Sequence, residues 1–414
     1  MTVTDGHSSA GRAAEARREL PFLLAYGLLF AGLSIGTLDS TAITTQAGGR
    51  SSGAIWTSIY LATMGISIAA MVPAVPSIAE RLGARRAFAA SAAFSSILWI
   101  VVAGLILGGV RPMPVLLVAA VLAGVSLAVF SVLNPLFARA YFDGEGMAGA
   151  VARLSLASGI AWAIGAAAGG FLLNVVAPGW GILIRAVLGV PFAIYVISKP
   201  PAAEPLMPES REPVWSGMRD RLRDNRDLRR ATLLGCGVTA FAAPMASLIV
   251  PIVDALRQSP LLPGAGILSA AMAVGEMFAP VVVSKLERRR TDLRAAAVAA
   301  IVCGGALVLY AIGSYALSRR PELAMWVVIG LAYGAFRFAS KALNVGAATA
   351  SDTEGNSVES VATLLFVTGL SAPIGLLAWG FLINRASVEV AVFTGAAGTA
   401  AVALLSLRRA NQPA

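Results

Sequence analysis

Apolar residues do not alternate along this chain; they come in long blocks separated by short polar stretches. Leu20–Ile43, Ala54–Ile78, Ala87–Val110, Pro114–Ala138, Ala148–Val176 and Trp180–Ser198 form a first set of six. Ala231–Val253, Pro263–Val283, Ala295–Leu317, Leu323–Ala348, Val358–Ile383 and Val388–Leu407 form a second. Runs of about 20 residues are long enough to cross a bilayer. Inside lipid the backbone must satisfy its own hydrogen bonds, so each run predicts a helix. Between the sets, Lys199–Arg230 breaks the pattern with Pro200, Pro201, Pro205, Pro208 and Pro213, then a charged amphipathic stretch from Trp215 to Arg230. The expected architecture is all-α and polytopic, with twelve transmembrane helices. It comprises a tail over 1–19, a six-helix bundle over 20–198, a linker with an amphipathic helix over 199–230, a second six-helix bundle over 231–407 and a tail over 408–414.

The polar positions set the orientation. Arg81, Arg85 and Arg86 lie in a tight loop between the second and third runs, and Lys285, Arg288, Arg289 and Arg290 follow the eighth. Most of the 32 basic residues fall on this side, whereas Arg50, Arg111, Arg257, Arg319, Arg320 and Arg385 fall on the other. The positive-inside rule then places both termini in the cytoplasm of a cell that carries the protein in its plasma (inner) membrane. The first run is too long for a signal-peptide core and reads as a span.

The two sets repeat one another. Gly159, Ile164, Gly165, Ala168, Gly170, Phe171, Leu172 and Asn174 recur in register as Gly369, Ile374, Gly375, Ala378, Gly380, Phe381, Leu382 and Asn384. Asp143-Gly144-Glu145-Gly146 recurs as Asp352-Thr353-Glu354-Gly355. Two pseudo-symmetric bundles are implied.

Composition narrows the function. The chain of 414 residues is 57% hydrophobic and only 13% charged, against about 25% charged in a soluble domain. The net charge of +10 resides mainly in loops, so a nucleic-acid partner is not expected. The one histidine, His7, sits in the polar tail, and Cys236 and Cys303 lie inside apolar runs. Neither a metal site, a cofactor site nor a catalytic constellation is readable, so the chain does not read as an enzyme. Gly235-Cys236-Gly237-Val238-Thr239-Ala240 fits a dinucleotide-binding pattern by letter but has no strand before it.

Glu80-Arg81-Leu82-Gly83-Ala84-Arg85-Arg86 resembles the loop between helices 2 and 3 of the major facilitator superfamily. Arg81, Gly83 and Arg85 match that pattern, while Pro76, Glu80 and Ala84 replace a Gly, an Asp and an Arg. Gly165-Ala166-Ala167-Ala168-Gly169-Gly170 resembles the Gly-Pro-x-x-Gly-Gly signature of the family's antiporters, with Ala166 in place of Pro. The resemblance spans Leu20 to Arg409 and implies a substrate cavity between two halves near the bilayer midplane.

It also implies roles. The acid corresponding to Glu80 approaches the start of helix 11 and helps latch the cytoplasmic side. Charge clusters are expected between Arg81, Arg85, Arg86 and Asp143, Glu145, and between Lys285, Arg288, Arg289 and Asp352, Glu354. The same acids would be stabilised at helix N-termini without any gate. Gly165, Gly169 and Gly170, with Pro373, Gly375 and Gly380 in the eleventh run, are expected to form flat faces on which the halves touch and slide. Helices 1, 4, 7 and 10 line the family's cavity, which selects Asp39, Arg337 and Lys341, with Glu276 as a structural partner or a proton-linked switch. The arginine that many of the family's drug/proton antiporters carry in helix 4 is Ala120 here, so any proton coupling falls to Asp39 or Glu276. The first expectation is a secondary transporter exporting a small organic molecule, a drug or natural product, by alternating access. The alternative is an importer of a small anionic metabolite held by Arg337 and Lys341. Lipid, the substrate and protons are the expected partners, and one chain is expected to suffice.

Overall fold

The computed structural model describes residues 9–141, 147–199, 214–256, 264–287, 292–316, 323–349 and 357–410, and the elements among them are helical. The first bundle contains α1 (Glu19–Gly49) and α2 (Ser52–Leu82), then α3 (Ala84–Leu107), α4 (Pro112–Tyr141), α5 (Met147–Val175) and α6 (Trp180–Ser198). A linker helix, Val214–Asp224, precedes the second bundle. There α7 is a bent pair, Arg226–Ser247 and Ile249–Ala255, at 62°, and α8 another, Gly264–Met277 and Ala279–Leu286, at 42°. The remaining helices are α9 (Asp292–Ala316), α10 (Leu323–Thr349), α11 (Ser357–Arg385) and α12 (Val388–Ala410). Among the described residues, nine helices are individually long and apolar enough to cross a membrane, and the two bent pairs raise that to 11. The twelfth is α10, whose C-terminal half carries Arg337, Lys341 and Asn344.

Local chemistry explains the turns and breaks. α1 runs on past Ile43 to Gly49 because its late hydroxyls are used: Thr44 and Thr45 Oγ1 each lie 2.9 Å from Thr57 Oγ1 of α2. Gly49, at φ 60°, then reverses the chain. Gly83 alone separates α2 from α3, and its φ of 82° is one that a side chain would strain. Pro244 and Pro280 have no N–H to offer the carbonyls of Ala240 and Glu276. α7 is interrupted just before Pro244, ahead of its bend at Leu248, and α8 breaks beside Pro280.

Each half is built alike. α1 packs on α5 and α6, and α7 on α11 and α12; α3 packs on α6, and α9 on α12. Gly165 lets α5 close on the backbone of α1 at Ala31, and Gly375 lets α11 close on α7 at Ala240. The core of the first half is aromatic near the end that carries the chain termini: Phe88 stacks on Phe137 at 4.5 Å, and Phe22 on Tyr141 at 4.3 Å. In the second half, Ala295, Ala296, Ala299 and Ala300 are fully buried on α9 and let its neighbours approach.

The halves meet along α2–α11 and α5–α8. A Cβ on Gly65 would touch Pro373, one on Gly380 would collide with Ser58, and one on Gly266 would stand 2.7 Å from Gly170 Cα. Trp162 Nε1 of α5 donates to Ser269 Oγ of α8 at 3.4 Å. These contacts lie from the middle of the helices toward the end opposite the termini. Nearer the termini, the last turns of α2 pack on α3 and α4, and those of α8 on α9 and α10, within their own halves.

Candidate functional site

The charges that meet in the membrane lie in the second half, and glycines bring them together. Gly275 of α8 lies against the Leu331 backbone of α10, and Gly334 of α10 lies against Met272 of α8. Without a Cβ at either place, the two helices come within backbone contact. The residues that follow, Glu276 and Arg337, are thereby neighbours: Arg337 Nη2 donates to Glu276 Oε1 at 3.3 Å. Both remain partly accessible, with side chains 25% and 32% exposed. Lys341 lies one turn further along the same face of α10. It is exposed and forms no ion pair with a described residue. One carboxylate and two cations leave this cluster with an excess positive charge. An exposed lysine part-way along a transmembrane helix needs water or an anion beside it.

The cluster is tied to the break in α7. Tyr333, one turn before Arg337, sits under the guanidinium with its ring centroid 5.6 Å away. Its hydroxyl donates to the Ala242 carbonyl at 2.5 Å, where α7 is interrupted after Phe241, six residues before its bend at Leu248. Glu276 itself lies two residues before the break in α8. Interrupted helices beside intramembrane charge are a recurrent way to build a solute site. Tyr333 was not among the residues singled out from sequence, although the spacing Tyr333-x3-Arg337-x3-Lys341 puts all three on one face.

Asp39 is placed apart from this cluster. It is 5% exposed, and its Oδ2 accepts from Gly179 N and Ile182 N at 3.0 Å each. Gly179 precedes α6 and supplies no cap of its own, so an acid on α1 caps α6, where the helix dipole favours negative charge. A cavity of about 270 Å³ adjoins it, lined by Ile35, Gln46, Gly169 and Leu172 among others.

The loop residues are at the end that carries the termini. Glu80, Arg81, Arg86 and Lys285 are exposed. Arg85 Nη2 donates to the Ile197 carbonyl at 2.7 Å, so this cation serves the C-terminus of α6. Asp143, Glu145, Arg288, Arg289, Asp352 and Glu354 lie outside the described residues. A pair that sequence reasoning missed, Arg153 Nη1 to Glu19 Oε2 at 2.6 Å, joins the start of α5 to the start of α1. Of the packing residues, Gly170, Pro373 and Gly380 face the opposite half, whereas Gly165, Gly169 and Gly375 press on α1 or α7 of their own half.

The profile of the Major Facilitator Superfamily matches residues 22–340, well over half of the chain. The chain belongs to the major facilitator superfamily. Solved structures agree on the fold. The nucleoside transporter NupG superposes with a TM-score of 0.73 at 14% identity, covering 96% of this chain and 100% of that one. A bacterial homologue of the human lysosomal transporter Spinster, inward-facing and unoccupied, gives 0.66 at 15%, covering 95% of each chain. The human organic anion transporter MFSD10 gives 0.64 at 14%, covering 95% and 99%. No curated protein matches the sequence. As a member of this superfamily, the chain is a multi-pass membrane transport protein.

Proposed function

We propose that this superfamily member moves a small organic solute bearing an anionic group, by alternating access between its two six-helix halves. The observation that carries the reading is Lys341: an exposed cation part-way along a transmembrane helix, beside an Arg337 already paired to Glu276. A carboxylate or phosphate on the solute would complete the charge balance, and Arg337 adds a second cationic contact. The solved organic anion transporter shares the fold, which is compatible with that substrate class. With both termini in the cytoplasm, as the basic loops favour, the contacts on the far side correspond to a state open to the cytoplasm.

Export of a lipophilic drug or natural product is the second reading, supported by the α5 glycine segment. Its coupling acid would be Glu276, because Asp39 is committed to the α6 N-terminus. Inverted vesicles with an imposed pH gradient separate the two. On the first reading, a panel of organic anions is transported and Lys341→Ala lowers that flux at least tenfold. Flux of lipophilic cations alone, unaffected by Lys341→Ala and collapsed by a protonophore, would replace it with proton-coupled export.

A further inference from the structure

A second cation is buried in the first half, away from the Glu276 cluster. Arg185 of α6 is 6% exposed. Gly36 of α1 makes room for it, since a Cβ there would stand 2.6 Å from Arg185 Cβ. Its guanidinium carbon lies 4.0 Å from the ring centroid of Trp99 on α3, a favourable cation–π contact. Among the described residues it has neither an ion pair nor a hydrogen bond. The nearest acid along α1, Asp39, is committed to the backbone of α6.

The surroundings offer hydroxyls, the Tyr60 phenol within electrostatic reach among them, and no carboxylate paired with Arg185 among the described residues. Arg185 lines a cavity of about 40 Å³ with Trp99, Ser91, Ser95, Ser96 and Ser126, enclosed by apolar side chains of α1 and α4. The Ser91 and Ser126 hydroxyls are used on the carbonyls of Phe88 and Ser91. Trp99 Nε1 is buried with no acceptor. Ser95 and Ser96 hydroxyls have no partner among the described residues. Water could fill some of these donors, but it carries no charge to offset a guanidinium held among apolar walls. A cavity of this size exceeds the roughly 10–15 Å³ that one water requires. Phe30, Leu33, Leu127 and Phe130 in its wall are each partly exposed, so it is not sealed.

We propose that Arg185, Ser95 and Ser96 bind a small inorganic anion of chloride size inside the first six-helix bundle, as a site separate from the solute cluster on α8 and α10. The occupant stabilises the bundle by completing the charge of Arg185, and it need not move with the solute. The proposal is independent of the substrate class argued above.

The test uses the purified full-length chain in lipid nanodiscs. Thermal unfolding is followed while sodium gluconate is replaced by sodium chloride or bromide at constant ionic strength. The expected result is a saturable rise in Tm of a few degrees, absent with gluconate and with sulfate. Bromide should also quench tryptophan fluorescence saturably, with that component lost in Trp99→Phe. Arg185→Gln removes the halide dependence, and Lys341→Gln keeps it. Should Arg185→Gln fail to fold, the Ser95→Ala/Ser96→Ala double variant leaves the arginine in place and should raise the halide midpoint at least threefold. A wild-type Tm indifferent to halide would overturn the site. So would a halide response that survives unchanged in the serine double variant and, where it folds, in Arg185→Gln.

Discussion

The two halves share one scaffold and treat their intramembrane charges in opposite ways. In the first half, Asp39 is capped onto α6 and Arg185 is packed against Trp99; both are more than nine-tenths buried. In the second, Glu276 and Arg337 pair while partly exposed, and Lys341 is exposed beside them. The helices differ in the same sense. α1 runs unbroken to Gly49, whereas its counterpart α7 bends at Leu248 and α8 bends just past Glu276. One half spends its charges on holding helices together. The other leaves charge accessible beside two helix breaks, and the proposed solute chemistry is assigned there.

The largest expected effect tests the shared scaffold. Gly165→Leu and Gly375→Leu should each abolish the monodisperse peak in detergent, because the added side chain meets helix backbone at Ala31 or Ala240. Gly369→Leu should be tolerated, as no atom lies within 4 Å of a Cβ there, although its repeat partner Gly159 faces Met277 across the halves. Equal behaviour of all three would dissolve the distinction between packing glycines and incidental ones.

Next comes the charge contrast. Glu276→Gln leaves Arg337 uncompensated and should lower Tm by several degrees and abolish transport. A Glu276→Gln/Arg337→Gln pair should recover part of the stability and none of the transport. Asp39→Ala removes only a helix cap, a loss of about 1 kcal/mol, with transport retained; Asp39→Asn, which keeps an acceptor, should cost less. Transport lost in Asp39→Asn at unchanged Tm would move the functional charge into the first half and reverse the comparison. The smallest effect is expected of Arg85→Ala, about 0.3–1 kcal/mol through the exposed C-terminus of α6.

Much of this was readable from the chain because a bilayer leaves few options. Apolar runs became helices, and the repeat between Gly165 and Gly375 became the same α1–α5 and α7–α11 contact. Glu276 and Arg337 were singled out because charge in a span needs a partner, and they do lie together. What local pattern could not show was direction. Asp39 caps α6 and lines the adjoining cavity, and that facing is set by the register of α1 against α6, which no local pattern encodes. The same holds for Tyr333, whose bond to Ala242 joins residues distant in sequence. Two of the antiporter-like glycines, Gly165 and Gly169, turned out to pack inward on α1. A small residue announces close approach without saying to which neighbour.

The seam between the halves has a thermodynamic consequence. Several of its contacts, Gly65 against Pro373, Gly380 against Ser58 and Gly266 against Gly170, join residues with almost no rotamers to freeze, beside the larger Trp162 and Met277. Freezing long side chains costs about 1.5–2 kcal/mol each. At those contacts, opening and closing the seam carries little side-chain entropy cost.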